Sequence, residues 1–97
     1  MQISAQTKVV ISSKVLSQEV RGETVLLDLS REFYFGLDAV GTRVWQLLRE
    51  GKSLEQLLDV MLDEFDVARE QLEIDIVAFL EKLVSAGLIS VENSEDH

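Results

Sequence analysis

Several residue types that carry chemistry are missing or scarce in this chain of 97 residues. It has no cysteine, which excludes a disulfide framework, a thiolate metal site and a cysteine nucleophile, and indicates a reducing compartment. Its one histidine, His97, ends the acidic stretch ENSEDH, where nothing would hold an imidazole in a catalytic geometry. Only carboxylates and hydroxyls remain for acid–base or nucleophilic catalysis. We therefore expect a protein that is not an enzyme and has no cofactor.

The chain also has no proline, no internal repeat, no low-complexity linker and no apolar run of membrane-spanning length. Its first residues, MQISAQTK, lack the basic flank and the apolar stretch of a signal peptide. With 46% apolar residues, a chain of this length forms one core but not two. We expect a single cytoplasmic domain over residues 8–91, with a flexible N-terminus at 1–7 and an acidic flexible tail at 92–97.

Positive charge is scarce. Nine lysines and arginines stand against eighteen acidic residues, which gives a net charge of −9. A charge of this sign repels both the backbone of nucleic acid and the anionic face of a membrane. We therefore expect neither nucleic acid nor a membrane as partner, but neutral or basic polypeptides.

One acidic cluster, Asp63, Glu64 and Asp66, has the ligand type that a hard cation prefers. Its spacing does not match a calcium loop, and a run of solvated charges is the better interpretation. We assign no metal site.

The first third of the chain has apolar residues with a period of two, which is typical of strands with one buried face. The pattern predicts one strand from Val9 to Leu16, a second over 24–29 and a third over 32–37. The turn-like pairs Arg21-Gly22 and Ser30-Arg31 separate them. We expect a three-stranded antiparallel meander.

The period then changes to about 3.6 residues, which indicates helices. Asp38 as a cap and Gly51 as a terminator predict the first helix, and Ser53 with Gln56 forms a capping box for the second. Gly41 is unfavourable inside a helix by roughly 0.5–1 kcal/mol, which predicts the close approach of another backbone. The predicted apolar stripes are Val40, Val44, Leu47 and Leu48 with Trp45 in the first helix, and Leu54, Leu57, Leu58, Met61, Leu62 and Phe65 in the second.

A third helix is predicted after a break at Asp66 to Ala68, and Gly87 ends it before a short final strand at Leu88 to Val91. Ile74 and Val77 lie off its core stripe, so this helix is apolar around more of its circumference than one core contact needs. The expected fold class is α+β, a winged helix-turn-helix-like domain with a three-stranded antiparallel sheet followed by three helices. The stripe of the third helix is Leu72, Ile76, Phe79 and Leu83, with Leu80 beside them.

A winged helix-turn-helix usually places its third helix in the major groove of DNA and needs arginine and lysine there. This helix offers two cations, Arg69 and Lys82, against four carboxylates, Glu70, Glu73, Asp75 and Glu81. The scaffold suits DNA but the surface charge does not, so a DNA-binding regulator is the less favoured alternative.

Two stretches resemble the PqqD family. The first, ETVLLDLSREFYFGLDAVGTRVWQLLREGKSLEQLLDVMLDEF, contains the family's aromatic–x–Leu–Asn/Asp step, its small residue and its aliphatic-Trp pair. The second, EQLEIDIVAFLEKLVSAGLI, has the family's helix pattern and its Gly-Leu-Ile ending. The resemblance runs from about residue 8 to 91, and the matching positions are Phe35, Leu37-Asp38, Gly41, Val44-Trp45, Asp75-Ile76, Phe79-Leu80, Leu83 and Gly87-Leu88-Ile89.

The resemblance implies a recognition element for ribosomally made, post-translationally modified peptides. Members of the family bind the leader segment of a precursor peptide and present it to modifying enzymes. Stand-alone members include the peptide chaperone of the pyrroloquinoline-quinone pathway, which acts with a radical enzyme, and the small proteins of lasso-peptide clusters that serve a leader peptidase. We favour the lasso type, with the quinone-pathway chaperone as the alternative, and expect a monomer or weak dimer.

The physical basis for such binding is an exposed edge strand, whose unpaired N–H and C=O groups accept a peptide as an added strand while alternate side chains enter pockets. If the third strand is that edge, Phe35 and Leu37 anchor the core, and Glu32, Phe33 and Tyr34 supply the docking edge.

One flank of the third helix is expected to face the bound peptide. On this flank Ala78 permits close approach, while Asp75 and Lys82 fix the register of the peptide by hydrogen bonds or charge pairing. The predicted peptide-binding residues are Glu32, Phe33, Tyr34, Phe35, Asp75, Ile76, Ala78, Phe79 and Lys82.

Overall fold

The computed structural model of the chain describes Ile3 and residues 6–92. Four strands, three helices and a last strand follow one another: β1 (Lys8–Ile11), β2 (Val15–Val20), β3 (Glu23–Asp28), β4 (Phe33–Leu37), α1 (Ala39–Arg49), α2 (Leu54–Glu64), α3 (Arg69–Ser85) and β5 (Ile89–Glu92). Strands β2, β3 and β4 form an antiparallel sheet in that order, and β1 pairs with β5. The predicted α+β, winged helix-turn-helix-like fold class is confirmed.

The single strand predicted from Val9 to Leu16 is wrong, because the chain turns at residues 12–14. The Lys14 N–H donates to the Ser12 hydroxyl and the Val15 N–H donates to the Ser12 carbonyl, each at 3.2 Å. As a result β1 leaves the meander and pairs antiparallel with β5. The period-two pattern missed the break because both segments alternate and a serine side chain closes the turn.

The turn predicted at Arg21-Gly22 is confirmed. The two residues have φ of 58° and 83° and close a hairpin in which Val20 opposes Glu23. Two successive residues with positive φ match the right-handed twist of the strands that they join. This turn sets the register in which Leu26 lies opposite Ser17.

The inner face of β3 carries Thr24, Leu26 and Asp28, which are all buried. Val25 and Leu27 lie on the opposite face and are exposed. The sequence did not determine which face is buried, since both faces of this strand carry apolar residues.

The helix caps were predicted correctly. The Asp38 carboxylate accepts a hydrogen bond from the Gly41 N–H at 2.8 Å. Ser53 and Gln56 form the reciprocal capping box, with bonds of 3.3 Å and 2.9 Å. Gly51 follows α1 with φ of 85°, a conformation that favours glycine.

The core is mainly helical, with contributions from both sheets. Val40, predicted to be part of the α1 stripe, is 42% exposed, so that assignment is wrong. The side chains of Phe65 and Phe79 are only partly buried against the core. The buried apolar residues are Leu26, Leu37, Val44, Trp45, Leu47, Leu48, Leu54, Leu57, Leu58, Met61, Leu72, Ile76, Leu80, Leu83, Leu88 and Ile89.

Gly41 is closely surrounded, but by side chains. A Cβ at this position would lie 3.3 Å from Asp38 Oδ1 and 3.4 Å from both Leu37 Cβ and Phe79 Cζ. The predicted approach of another backbone is therefore wrong. Gly41 instead makes room for the Phe79 ring, which brings α1 against α3 at the end of β4.

The domain boundaries remain a prediction. Within the segment 1–7, Ile3 packs against the core, Thr7 is buried, and the Thr7 carbonyl accepts a hydrogen bond from the Leu54 N–H at 3.0 Å. Glu92 is part of β5, and the rest of the expected acidic tail, with His97, lies outside the described residues. No helix among the residues that the structure describes is long and apolar enough to cross a membrane.

The capping box of α2 makes a measurable contribution to stability. We expect Ser53→Ala to lower the free energy of unfolding by about 1 kcal/mol, because the N–H groups that begin α2 lose their acceptor. Urea denaturation measures this loss. Ser13→Ala, in an exposed turn, is the control and should change the free energy by less than about 0.5 kcal/mol. Equal losses in the two variants would contradict the capping argument.

Candidate peptide-binding site

Strand β4 lies at the edge of the three-stranded sheet. One side of it pairs with β3, from Asp28 opposite Phe33 to Thr24 opposite Leu37. Within residues 6–92 no further strand pairs with its other side, because β1 and β5 form a separate ribbon. An edge of this kind presents unpaired N–H and C=O groups to which an extended chain can add.

A groove separates β4 from the second half of α3. Phe35 supplies the strand side, and α3 supplies the opposite wall. Ala78 is exposed, and its methyl group leaves room for a backbone beside the helix. The groove has a volume of about 480 Å³ and is lined by Phe35, Ala78, Glu81, Lys82, Ser85 and Ala86. It therefore contains three of the predicted peptide-binding residues, Phe35, Ala78 and Lys82.

The inward side chains of β4 form a graded apolar wall. Leu37 is buried, Phe35 is partly buried against the core, and Phe33 is 38% exposed. The ring centroids of Phe33 and Phe35 lie 6.4 Å apart in an edge-to-face arrangement. Leu37 and Phe35 thus contribute to the core as expected, and Phe33 continues their face towards solvent.

Tyr34 and Glu32 are placed differently from the other predicted residues. Tyr34 is 72% exposed and belongs to the opposite face of the sheet. Glu32 precedes β4 in a left-handed conformation with φ of 55°. Both flank the free edge, and neither of them lines the groove; Phe33 does not line it either, although it shares the face of Phe35.

A second cavity, which we call the end pocket, lies beyond the end of β4 and has a volume of about 340 Å³. Its walls are apolar except for two carboxylates, Asp38 and Asp75. Asp75 accepts a hydrogen bond from the Gln71 side chain at 2.9 Å. Ile76, which is 2% exposed, contributes to the floor and belongs mainly to the core. The lining residues are Asp38, Val40, Gly41, Val44, Met61, Phe65, Val67, Leu72, Asp75, Ile76 and Phe79.

The predicted residues of α3 are therefore divided between two cavities. Ala78 and Lys82 line the groove, whereas Asp75, Ile76 and Phe79 line the end pocket. Sequence reasoning missed Glu81, Ser85 and Ala86, although they lie three, seven and eight residues after Ala78 and so continue its side of the helix.

The apolar residues of α3 that lie off its core stripe, Ile74 and Val77, share a surface that we call the far flank. Ile74 is 63% exposed and lies with Val77 in an open depression of about 590 Å³. Three carboxylates, Glu70, Glu73 and Glu81, surround them. This flank borders the groove at Ala78 and Glu81 without facing β4.

The outer sheet face carries an unusual concentration of exposed apolar side chains. Leu27 lies between Leu16 on one neighbouring strand and Tyr34 on the other. Contiguous exposed apolar surface of this kind marks an interaction site more often than isolated residues do. We define the outer sheet face by its exposed members, Leu16, Val20, Val25, Leu27, Leu29 and Tyr34.

The acidic run considered above as a cation site has another use. The Arg43 guanidinium of α1 forms two parallel hydrogen bonds, of 2.8 Å and 2.7 Å, to the Glu64 carboxylate of α2. These bonds hold the pKa of Glu64 below its ordinary range and raise the pKa of Arg43. Within the described part of the chain, no group of three metal-ligating side chains comes together.

A buried carboxylate supports the turn between β3 and β4. Asp28 is 3% exposed, and its Oδ1 accepts hydrogen bonds from the Ser30 hydroxyl and N–H at 2.8 Å and 3.0 Å. The Ser30 hydroxyl is the main cause that lowers the pKa of Asp28; burial opposes it, and bonds from Arg31 add to it.

This carboxylate makes the stability of the fold depend on pH. Because the folded-state pKa of Asp28 lies below the ordinary value of 3.8, its stabilising contribution is complete above that value and is lost as the pH falls through the lower folded-state pKa. We expect the difference in unfolding free energy between wild type and Asp28→Asn to be constant from about pH 7 to pH 5 and to shrink as the pH falls below the ordinary value of 3.8. Urea titrations across this range test it. A difference that does not change in acid would contradict the assignment.

A family model described as Coenzyme PQQ synthesis protein D (PqqD) matches residues 23–89. The matched span includes β3, β4 and all three helices, and hence both walls of the groove. A solved structure described as "TbiB1 in Complex with the TbiA(beta) Leader Peptide" is similar to this chain, with 42% sequence identity and a TM-score of 0.80. The match covers 90% of this chain and 99% of that one. The search of curated proteins finds no match.

Proposed function

The chain belongs to the PqqD family, and on this premise we propose that it is a non-catalytic protein that binds the leader segment of a ribosomally synthesised precursor peptide. The leader adds as a strand to β4, and its inward side chains enter the groove beside α3. The observation that carries this proposal is the open β4 edge facing α3, in a chain 42% identical to a protein solved with a leader peptide. The lasso-peptide type is favoured, and a quinone-pathway chaperone is the alternative.

Backbone pairing alone does not account for useful affinity. Alternate residues of the five in β4 direct their N–H and C=O groups away from β3. An added strand therefore gains roughly four to six hydrogen bonds, each worth about 1 kcal/mol net. Association costs at least about 4 kcal/mol in lost freedom and often much more. The remainder comes from apolar side chains of the leader, each contributing about 1.5–3 kcal/mol when fully buried.

The groove and the end pocket have different roles in this proposal. Phe33 and Phe35 provide the apolar wall on the strand side, and Ala78 lets the leader backbone approach α3. Lys82 lines the groove and Asp75 lines the end pocket. The path proposed for the leader therefore has side chains of opposite charge towards its two ends. A leader residue of matching charge or hydrogen-bonding capacity at either end fixes the register of the added strand.

Three further predicted residues act less directly. Phe79 packs on Gly41 and lines the end pocket, and Ile76 forms the floor of this pocket. Glu32 flanks the start of the added strand. These roles remain predictions, as do the cytoplasmic location and the state of monomer or weak dimer. A DNA-binding regulator is the less favoured class, because carboxylates dominate the exposed surface of α3.

Strand addition has a signature that other binding modes lack. We expect calorimetry with a synthetic leader peptide to detect binding, and single N-methylation along the leader to weaken it at alternate positions only. Alternation is expected because every second N–H of an added strand points to β4. No binding at high micromolar concentration would refute the function, and uniform effects of N-methylation would refute strand addition.

The groove itself is tested by a bulky substitution. Ala78→Arg should reduce leader affinity by at least about tenfold, because the longer side chain occupies the space beside β4. Val10→Arg, on the exposed side of β1 in the separate β1–β5 ribbon, is a control with the same change in charge and should leave the affinity unchanged. Thermal unfolding of both variants establishes that they fold. Equal loss of affinity in the two would place the leader elsewhere.

A modifying enzyme needs a surface that remains accessible while the groove holds the leader. The outer sheet face meets this requirement, and a leader strand on β4 extends it by one strand. We therefore assign the outer sheet face to the client enzyme, with a leader peptidase as the favoured client. Its apolar character suits an apolar partner surface.

The two surfaces can be separated by substitution. Leu27→Lys should leave leader affinity within about twofold of wild type, while recruitment of the peptidase is lost, because a charge in the centre of the outer sheet face resists desolvation. Calorimetry measures the first property, and co-elution of the peptidase with the leader complex measures the second. Val10→Lys, on the exposed side of β1, is the control and should retain both properties. Recruitment by Leu27→Lys equal to wild type would exclude this face.

A further inference from the structure

One side chain joins the two walls of the groove at the end where β4 begins. Arg31, in the turn between β3 and β4, donates from Nε and Nη2 to Asp28 Oδ2 at 3.0 Å and 2.8 Å. Its Nη2 also donates to the carbonyl oxygen of Ala86, the residue that caps the C-terminus of α3. Ala86 lines the groove. A single guanidinium therefore connects the sheet to α3.

The anchor on the sheet side is rigid. Besides Arg31, the Asp28 carboxylate is held by the Ser30 hydroxyl, by the Ser30 N–H and by the Arg31 N–H, and it is buried. A planar guanidinium with two donors on one carboxylate has a defined orientation, unlike the point charge of a lysine. The direction in which Arg31 reaches α3 is thus set by the turn itself.

The anchor on the helix side is shaped to receive the guanidinium. Gly87 has φ of 76°, and a Cβ at this position would overlap Arg31 Nη2. The glycine of the Gly-Leu-Ile ending therefore has two functions. It ends α3, and it leaves the space in which Arg31 bonds to Ala86.

The far end of the groove is fixed independently. There the Phe79 ring lies against Gly41, directly after β4. At the other end Leu80 and Leu83 hold α3 to the core by apolar packing, and the hydrogen bonds of Arg31 add a directional link to the turn before β4. An added strand requires a spacing of about 4.8 Å from β4, and its hydrogen bonds weaken steeply with misalignment.

We propose that Arg31 is a positioning residue that sets the distance between β4 and α3, and thereby the width of the groove that receives the leader. This inference rests on the proposed function. Arg31 acts through the two walls, so its effect on leader affinity does not require contact with the leader.

Leader affinity in folded variants tests this role. Arg31→Ala should raise the Kd of the leader by about tenfold and speed its dissociation, because the leader must then hold the walls together. Arg31→Lys keeps the positive charge but loses the planar pair of donors that binds Asp28, and should give an intermediate Kd. Gly87→Ala keeps Arg31, but the added methyl group occupies the space in which the Arg31 guanidinium bonds to Ala86. This variant should therefore also raise the Kd of the leader.

Loss of stability alone is excluded by a matched control. Leu62→Ala, on α2 and partly buried against the core, lowers the free energy of unfolding without touching either wall. Calorimetry and dissociation rates are measured well below the melting temperatures of all variants. We expect Leu62→Ala to bind as wild type does.

The outcomes separate the inference from the proposed function. If wild type does not bind the leader, the proposed function fails. If wild type binds and Arg31→Ala binds equally well, or is weakened no more than Leu62→Ala, then Arg31 only stabilises the turn and the inference is overturned. A larger Kd for Arg31→Ala and Gly87→Ala, with partial recovery in Arg31→Lys, supports it.

Discussion

Backbone N–H and C=O groups need partners, and among the residues that the structure describes only β3 pairs with β4, along one side. The positions of the other strands and of α3 leave the second side of β4 unpaired. The turn at residues 12–14 sends the first strand to β5, so it does not extend the meander beyond β2 or cover β4. α3 then runs beside the free edge at a distance that leaves a groove. In the proposed complex, an extended peptide would complete both the hydrogen bonding of β4 and the apolar contacts of the groove wall.

Local signals predicted the elements that depend on local chemistry. The Asp38 cap, the capping box at Ser53 and the glycine that ends α3 involve neighbours within a few residues, and the sequence shows them directly. The turn at Ser12 was missed because a side-chain acceptor closes it without any interruption of the alternation. The buried face of β3 was undetermined because Leu26 and Leu27 are equally apolar. The position of this turn and the buried face of β3 depend on contacts with other strands and helices, which local patterns do not show.

In the candidate site, too, features set by the local sequence were predicted and features set by contacts between elements were not. The flank of α3 that faces β4 followed from helical periodicity, and Ala78 and Lys82 do line the groove. The assignment of Phe79 to the end pocket did not follow, since its ring packs against Gly41, a residue far from it in sequence. Tyr34 was assigned to the docking edge, yet the pleat places it with Leu16 and Leu27. One strand thus contributes to two surfaces, a free edge beside the groove and an exposed apolar outer face.

The short length of β4 has a consequence for the protein when no peptide is bound. A free strand edge is also a template for another copy of the same strand, which is the usual beginning of uncontrolled polymerisation. Here the template is five residues long and ends at a left-handed residue on one side and a helix on the other. A second copy could match only those five residues, whereas a flexible leader also fills the cavities alongside. In the proposed mode of binding, an added leader strand also shields this edge from a second copy of the protein.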